Sequence, residues 1–201
     1  FVYISSSMVY GNFSSGVNET TSCNPQGQYA ILKYMGEKLV QDYARRTGME
    51  YVIIRPSAVY GENDVEDRVV SKFIVAALRG EVLRVHGANE ILDFTHVDDT
   101  ALGIVQAALS PNAINKIYNI TRSDTTEHSL LDVANLIVNI VGAGSIEVDG
   151  RDLNFPSRGN LDIYNALRDF NFTPTINITD GLKRYYDWYR QHPTLWRSKA
   201  V

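Results

Sequence analysis

Residues 28–56 read QYAILKYMGEKLVQDYARRTGMEYVIIRP, and a change of period inside them decides the fold class. From 29 to 46 apolar side chains recur at helical spacing among Lys, Glu, Gln and Arg. Gly48 interrupts that pattern, and 50–55 becomes a short apolar run rich in β-branched residues, stopped by Pro56. An apolar run without alternation fits a strand covered on both faces, the habit of parallel sheets. Residues 1–5, FVYIS, carry the same signature. The chain therefore opens as strand, helix, strand, which is the unit that a parallel sheet with crossover helices requires.

Working outward, residues 68–78 read as a helix and 82–86 as a short strand. Asp98 and Asp99 are placed to cap a helix running to about residue 109. Residues 116–120 are strand-like, and 129–141 and 180–190 are helical. The second half alternates less regularly, which predicts a smaller α+β lobe attached to the sheet. A chain that begins Phe-Val-Tyr-Ile opens in what reads as the middle of a buried strand, so further sequence is expected upstream.

The 201 residues are 44% hydrophobic and 21% charged, an ordinary globular composition with enough apolar content for a sizeable core. A formal net charge of -4 offers no basic stripe for phosphate neutralisation, so a nucleic-acid partner is not expected. Cys23 is the single cysteine, which excludes an intramolecular disulfide and a cysteine-based metal site. No metal site is expected. No apolar run of membrane-spanning length occurs, and a cytoplasmic setting with no membrane partner is the expectation.

Chemistry enters at NPQGQYAILK, residues 24–33, where Tyr29 and Lys33 stand four apart at a helix start and so share one face. A phenol and an ammonium are presented together. The bare spacing occurs by chance in many proteins, but here it follows a strand that ends in three serines, Ser5, Ser6 and Ser7, and precedes a strand that ends in Arg-Pro. Pro56 and Ser57 stand where a carboxyl strand edge meets ligands in doubly wound folds, and read equally well as a strand terminator. His96, Tyr10 and Tyr60 read as structural residues.

The succession SSSMVYG, PQGQYAILK, VIIRPSAVYGE, ILDFTHVDDTALGIV, KIYNIT and LDIYNALRDFNFTPTINITDGLKRYYDWY resembles, in order and over nearly the whole chain, the extended short-chain dehydrogenase/reductases, in their nucleotide-sugar epimerase/dehydratase branch. The resemblance implies an α/β fold: the C-terminal part of a Rossmann-like doubly wound parallel sheet with a smaller substrate-binding lobe. It assigns 1–62 to the C-terminal half of a dinucleotide-binding domain and 63–201 mainly to the lobe, with about 82–110 returning to the sheet. It implies NAD as cofactor, with NADP open, a nucleotide-sugar substrate and a homodimer in which the helix from Tyr29 is a candidate contact. Ser6, Tyr29 and Lys33 take the catalytic roles. Ser5, Tyr29, Lys33, Pro56 and Ser57 are expected at the cofactor, and Ser7 at the sugar. An anionic diphosphate needs cationic donors, and Lys72, Arg84 and Arg158 are the candidates.

The implied reaction oxidises a sugar hydroxyl to a ketone, which needs a base active near neutral pH. A free phenol titrates at about 10, so roughly three units, about 4 kcal/mol, must come from its surroundings. A cation about 4 Å away at an effective dielectric of 20 contributes about that amount. Dehydratases of this branch carry an Asp-Glu pair directly after the catalytic hydroxyl residue. Ser7 and Met8 stand there instead, and neither side chain is a general base at neutral pH. The expected function is thus epimerisation, at C4, through a transient keto-sugar. A keto-sugar reductase or another dehydrogenase of the superfamily, and a non-catalytic binding module, are the alternatives.

Three departures from the family pattern stand out. No G-x-x-G-x-x-G or G-x-G-x-x-G occurs among the 14 glycines, so the adenosine and pyrophosphate half of the cofactor site is expected on roughly a hundred residues upstream. Leu92 stands where many members carry a phosphate-binding arginine. Ala58 stands where a substrate-contacting asparagine is common.

Overall fold

The computed structural model describes residues 1–64, 68–124 and 126–197. Its first elements are strand β1 (Val2–Ile4), helix α1 (Gly27–Thr47) and strand β2 (Val52–Pro56), the expected unit, with Pro56 as the last strand residue. Gly48 ends α1 in a left-handed conformation and donates its N–H to Ala44 O, a cap that suits glycine. There follow β3 (Val59–Tyr60), α2 (Val69–Leu78), β4 (Val82–His86), β5 (Thr95–His96), α3 (Val97–Leu109) and β6 (Lys116–Ile120). The remainder is α4 (Leu130–Val141), β7 (Ser145–Asp149), α5 (Tyr164–Phe170), α6 (Ile178–Gln191) and the short α7 (Thr194–Arg197).

The main sheet has the order β1-β2-β6, all parallel, with Val2 beside Val52 and Val52 beside Lys116. Side chains of β2 alternate between the sheet's faces. Val52 and Ile54 pack with Ala107 of α3 and with Tyr118, Ile120, Ala166 and Phe172. Arg55 points the other way, to Glu37 of α1. Helices α1 and α3 thus cover opposite faces of a sheet whose central strand is buried, which is why β2 reads as unbroken apolar sequence.

The lobe has its own core. Phe73 and Ile74 of α2, Leu83 and Val85 of β4, Val133 and Ile137 of α4, and Leu182, Tyr185 and Tyr189 of α6 form one buried cluster. Strand β4 pairs in parallel with β7, from Val82 beside Ser145 to His86 beside Asp149. This corrects two expectations. Residues 82–86 lie in the lobe rather than returning to the sheet, and the return made by α3 continues past 110 into β6. The cause is register: β7 supplies the partner for β4, whereas the apolar side of 116–120 completes the core under β2.

Capping is also redistributed. Asp98 and Asp99 do not cap α3; His96 does, its Nδ1 accepting the Asp98 N–H at 3.2 Å. Asp99, in the first turn, instead accepts the N–H groups of Thr175 and Ile176, tying the segment before α6 to α3. Ser129 and Asp132 form a reciprocal capping box on α4.

Candidate active site

The carboxyl ends of β1 and β2, the start of α1 and the inner wall of the lobe enclose a cavity of about 960 Å³. Ser6, Ser7, Tyr29, Pro56, Ser57, Lys72, Arg84 and Arg158 all line it. Sequence-distant candidates therefore converge where ligands enter doubly wound sheets.

Ser6 sits just beyond β1 and caps a 3-10 turn over Ser7–Tyr10, its Oγ accepting the Met8 N–H at 3.2 Å. That cap orients the hydroxyl and leaves its proton available for another acceptor. Tyr29 stands in the first turn of α1 and is 56% exposed. Lys33, one turn on, places Nζ 5.7 Å from the Tyr29 ring centroid and donates to Ile4 O at 2.8 Å. Lys33 does not line the cavity wall; the carbonyl at the end of β1 holds its ammonium beside the phenol.

Ser5 is placed differently from expectation. It is buried at 1% exposure, and its Oγ donates to Glu37 Oε1 at 2.5 Å instead of facing the cavity. Strand alternation turns Ser5 towards the face covered by α1. Arg84 lines the cavity rim, but its guanidinium already meets Glu147 at 3.4 Å and Asp149 at 3.8 Å, both from β7. Its charge is largely committed within the lobe.

Arg158 has an Nε that is buried and without a hydrogen-bond partner. Burial pulls its pKa down, and nearby Glu90 acts against that pull. An anionic ligand would relieve both the missing bond and the burial penalty. Ser57 Oγ is likewise buried and unpartnered, on the wall at the end of β2. Residue 58 adopts φ 37°, a left-handed conformation that alanine tolerates poorly and asparagine or glycine accepts. Leu92 lies on the wall too, an apolar surface where the resemblance places arginine.

The sequence reading missed Arg151, which lines the cavity, donates to Glu90 at 2.7 Å and to Phe155 O at 2.8 Å, and so closes the loop after β7. Its signal was the basic, aromatic and proline-containing run RDLNFPSR. Together Arg68, Lys72, Arg84, Arg151 and Arg158 outnumber the wall's Asp64, Glu90 and Asp152, which gives the cavity a cationic bias. Among the described residues no group of three or more His, Cys, Asp or Glu side chains is arranged to hold a metal ion.

A parallel sheet whose strand ends meet a hydroxyl, a phenol and an ammonium beside a cationic lobe makes this an α/β fold of the Rossmann-like, doubly wound class with a cationic cleft at its carboxyl edge. The chain matches the model of the NAD dependent epimerase/dehydratase family over residues 1–121, and it belongs to that family. It is 29% identical over 205 residues to an Arabidopsis thaliana trifunctional UDP-glucose 4,6-dehydratase/UDP-4-keto-6-deoxy-D-glucose 3,5-epimerase/UDP-4-keto-L-rhamnose-reductase, covering 98% of this chain and 30% of that protein. A Bacillus subtilis protein described as an uncharacterized UDP-glucose epimerase is 31% identical over 184 residues, covering 90% of this chain and 58% of its own length. Among solved structures, UDP-glucuronic acid 4-epimerase from Bacillus cereus, in complex with UDP-glucuronic acid and NAD, superposes with a TM-score of 0.89 at 29% identity, over 96% of this chain and 62% of that one. The chain thus spans less than two thirds of each of these proteins. Among the described residues no helix is long and apolar enough to cross a membrane.

Proposed function

We propose that the protein containing this chain epimerises a nucleotide sugar at C4, with NAD as cofactor and Ser6, Tyr29 and Lys33 as the proton-handling group. When bound, NAD would supply a reversible hydride acceptor for the sugar carbon. The groups present suit such a cofactor: the unpartnered Ser57 hydroxyl and Pro56 lie at the carboxyl end of β2, and Lys33 is held beside Tyr29. Tyr29 takes the hydroxyl proton from the sugar as the ketone forms and gives it back on reduction. Ser6 donates a hydrogen bond to the same sugar oxygen, and Lys33 holds its ammonium on the Tyr29 side of α1. Arg158 and Lys72 bind the diphosphate, with Arg84 secondary because β7 already engages it. Ser7 faces the sugar.

The observation that carries epimerisation over dehydration is the cavity wall next to Ser6, formed by Ser7 and Met8. Elimination of water needs an acid for the leaving hydroxyl and a base beside the ketone. No carboxylate comes from that strand end: the wall's three acids, Asp64, Glu90 and Asp152, all belong to other segments of the chain, and Glu90 and Asp152 are held by Arg151 and Asn154. A homodimer is part of the same reading, because α1 exposes Ile31, Leu32, Met35, Leu39 and Tyr43, a stripe that a second copy would cover. The test is incubation of the full-length protein and NAD with UDP-glucose, UDP-N-acetylglucosamine and their 4-epimers, followed by chromatography and mass spectrometry. An equilibrium mixture of epimers of unchanged mass is expected. A product lighter by one water refutes the epimerase reading, and stoichiometric change of the cofactor points to a reductase.

A further inference from the structure

Glu37 is the one charged residue on the buried stripe of α1, beside Ala30, Val40 and Ala44. It is 0% exposed and pairs with Arg55 of β2, itself 2% exposed. Arg55 grips it with two bonds, Nε to Oε1 at 2.9 Å and Nη2 to Oε2 at 2.7 Å. Ser5 Oγ donates to Oε1 at 2.5 Å. The remaining Arg55 nitrogen, Nη1, donates to Tyr10 Oη at 2.9 Å, and Tyr10 in turn donates to Asn119 Oδ1 of β6 at 2.9 Å. One carboxylate is thereby bonded to the end of β1 and to β2, and through Arg55 to the 3-10 turn and β6. Burial is the largest single influence on Arg55 and works against its charge, but the bonds to Glu37, together with the Tyr10, Glu37 and Cys23 groups around it, hold its pKa above the usual value. Burial pushes Tyr10 up to about 12, so it stays a neutral donor across the physiological range.

Stability is a weak reason for such a pair. Removing two charges from water costs several kcal/mol per ion, and apolar replacements of similar volume are often neutral or stabilising. What the pair does provide is a single geometry. Glu37, Lys33 and Tyr29 follow one another at four-residue steps, so each lies about 40° round the helix from the next, on one spiralling stripe. Ser5, the third partner, is the peptide neighbour of Ser6. We propose that the Glu37–Arg55 pair is a positioning device that sets the rotation of α1 against the ends of β1 and β2, and so the placement of Tyr29 and Lys33 relative to Ser6.

The magnitude supports a kinetic role. A tyrosine oxygen lies about 9 Å from its helix axis, so a turn of α1 by about 10° moves it by about 1.6 Å. A misplacement of about 1 Å costs on the order of 10²-fold in rate. The two-bond grip resists both rotation and sliding of the helix, which the small apolar contacts of Ala30 and Ala44 do not. At the exposed end of α1, Lys33 bonds β1 twice, its Nζ donating to Ile4 O at 2.8 Å and its carbonyl accepting from Tyr3 Oη at 3.3 Å, and both contacts lie a full turn from the Glu37 grip.

The proposal rests on the Ser6, Tyr29, Lys33 reading above, and its test has one arm that needs no substrate. In the full-length protein with NAD, Glu37→Asp shortens the carboxylate arm by one methylene, and the pair Glu37→Leu with Arg55→Met replaces both charges by apolar groups. Both variants are expected to remain folded by circular dichroism. kcat on whichever UDP-sugar the wild type turns over should fall at least tenfold, with KM within threefold. In the second arm, 3-fluorotyrosine placed at position 29 is followed by ¹⁹F NMR, and its resonance should shift or split in both variants relative to the parent. A folded double variant with kcat within twofold of wild type and an unmoved ¹⁹F line overturns the proposal, because the pair would then be structural only. Absence of turnover by the wild type would refute the functional reading, and the ¹⁹F arm would still decide the positioning role.

Discussion

Gly103 lies in α3 where the helix presses on the main sheet. A β-carbon added there would lie 2.5 Å from Ile120 Cγ2 and 2.8 Å from Phe172 Cε2. Both neighbours are 0% exposed and have no room to swing aside. Two effects oppose each other in Gly103→Ala. Alanine in a helix interior gains about 1 kcal/mol over glycine. Overpacking a closed core typically costs about 1–3 kcal/mol, and overlap with two immovable groups places this site at about 3. The net is a loss of about 2 kcal/mol, or about 4–8 °C in Tm for a chain of this size. The assay is thermal denaturation followed by circular dichroism, with Phe172→Leu as the second arm of a double-mutant cycle. Leucine removes the ring carbon that the new methyl strikes, so the double variant should be more stable than the sum of the single effects by about 1 kcal/mol or more. A raised Tm for Gly103→Ala would show that helix propensity outweighs the clash, and strictly additive effects would show that the methyl never meets Phe172.

Tyr29→Phe in the full-length protein should lower kcat by about 10²–10⁴ while the nucleotide-sugar Kd from calorimetry stays within threefold; turnover within tenfold of wild type would remove Tyr29 from the role of base. Arg168 above all, with Tyr118 and Lys116, holds the Asp169 carboxyl well below its ordinary 3.8. Its folded pKa is therefore below the unfolded one, and the stabilisation is complete above that unfolded value and lost as the pH falls towards the folded one. Asp169→Asn should cost about 1 kcal/mol in urea denaturation at pH 7, with the gap to wild type narrowing below about pH 4; a gap constant down to pH 3 would contradict this. Ala58→Gly should raise Tm by about 2 °C, because relief of left-handed strain, about 1–2 kcal/mol, exceeds the added chain entropy of about 0.4–1 kcal/mol. A lowered Tm would show that the Ala58 backbone is not strained.

The opening strand, helix and strand were legible because each follows a single period without interruption. Strand β7 was not, since SIEVD offers only Ile146 and Val148 among polar neighbours, and Val148 remains 51% exposed. Missing β7 also misled the reading of Arg84, whose counter-charges Glu147 and Asp149 come from that strand. Helix α5 spans seven residues, too few for helical spacing to declare itself. At the site, Ser6, Ser7 and Tyr29 were singled out through their order along the chain, and they line one cavity. Glu37 and Arg55 were passed over because a glutamate inside a helix and an arginine at a strand end both normally face water. Only the crossing of α1 over β2 shows that they face each other. Ser5 was misplaced for a related reason, since neighbouring serines give no sequence sign of which one turns inward.

The route of the chain between its two cores limits how the cavity can open. From the sheet cluster at β2 it passes to the lobe for α2 and β4, returns for α3 and β6, leaves again for α4 and β7, comes back for α5, and ends in the lobe with α6. A lobe joined by one or two strands of chain can swing on a hinge. Five crossings act instead like stitches along a seam: each connecting segment would have to bend about the same axis at once, and the crossings at β5 and before α6 are further tied by His96 and Asp99. Ligand entry is thus expected to work by small shear and by movement of individual loops, such as the Arg151 loop, with the two cores keeping their mutual orientation. Under the proposed function, the distance between the Tyr29 end of α1 and the cationic lobe wall then acts as a fixed ruler, admitting ligands of one length between their reacting carbon and their anionic group.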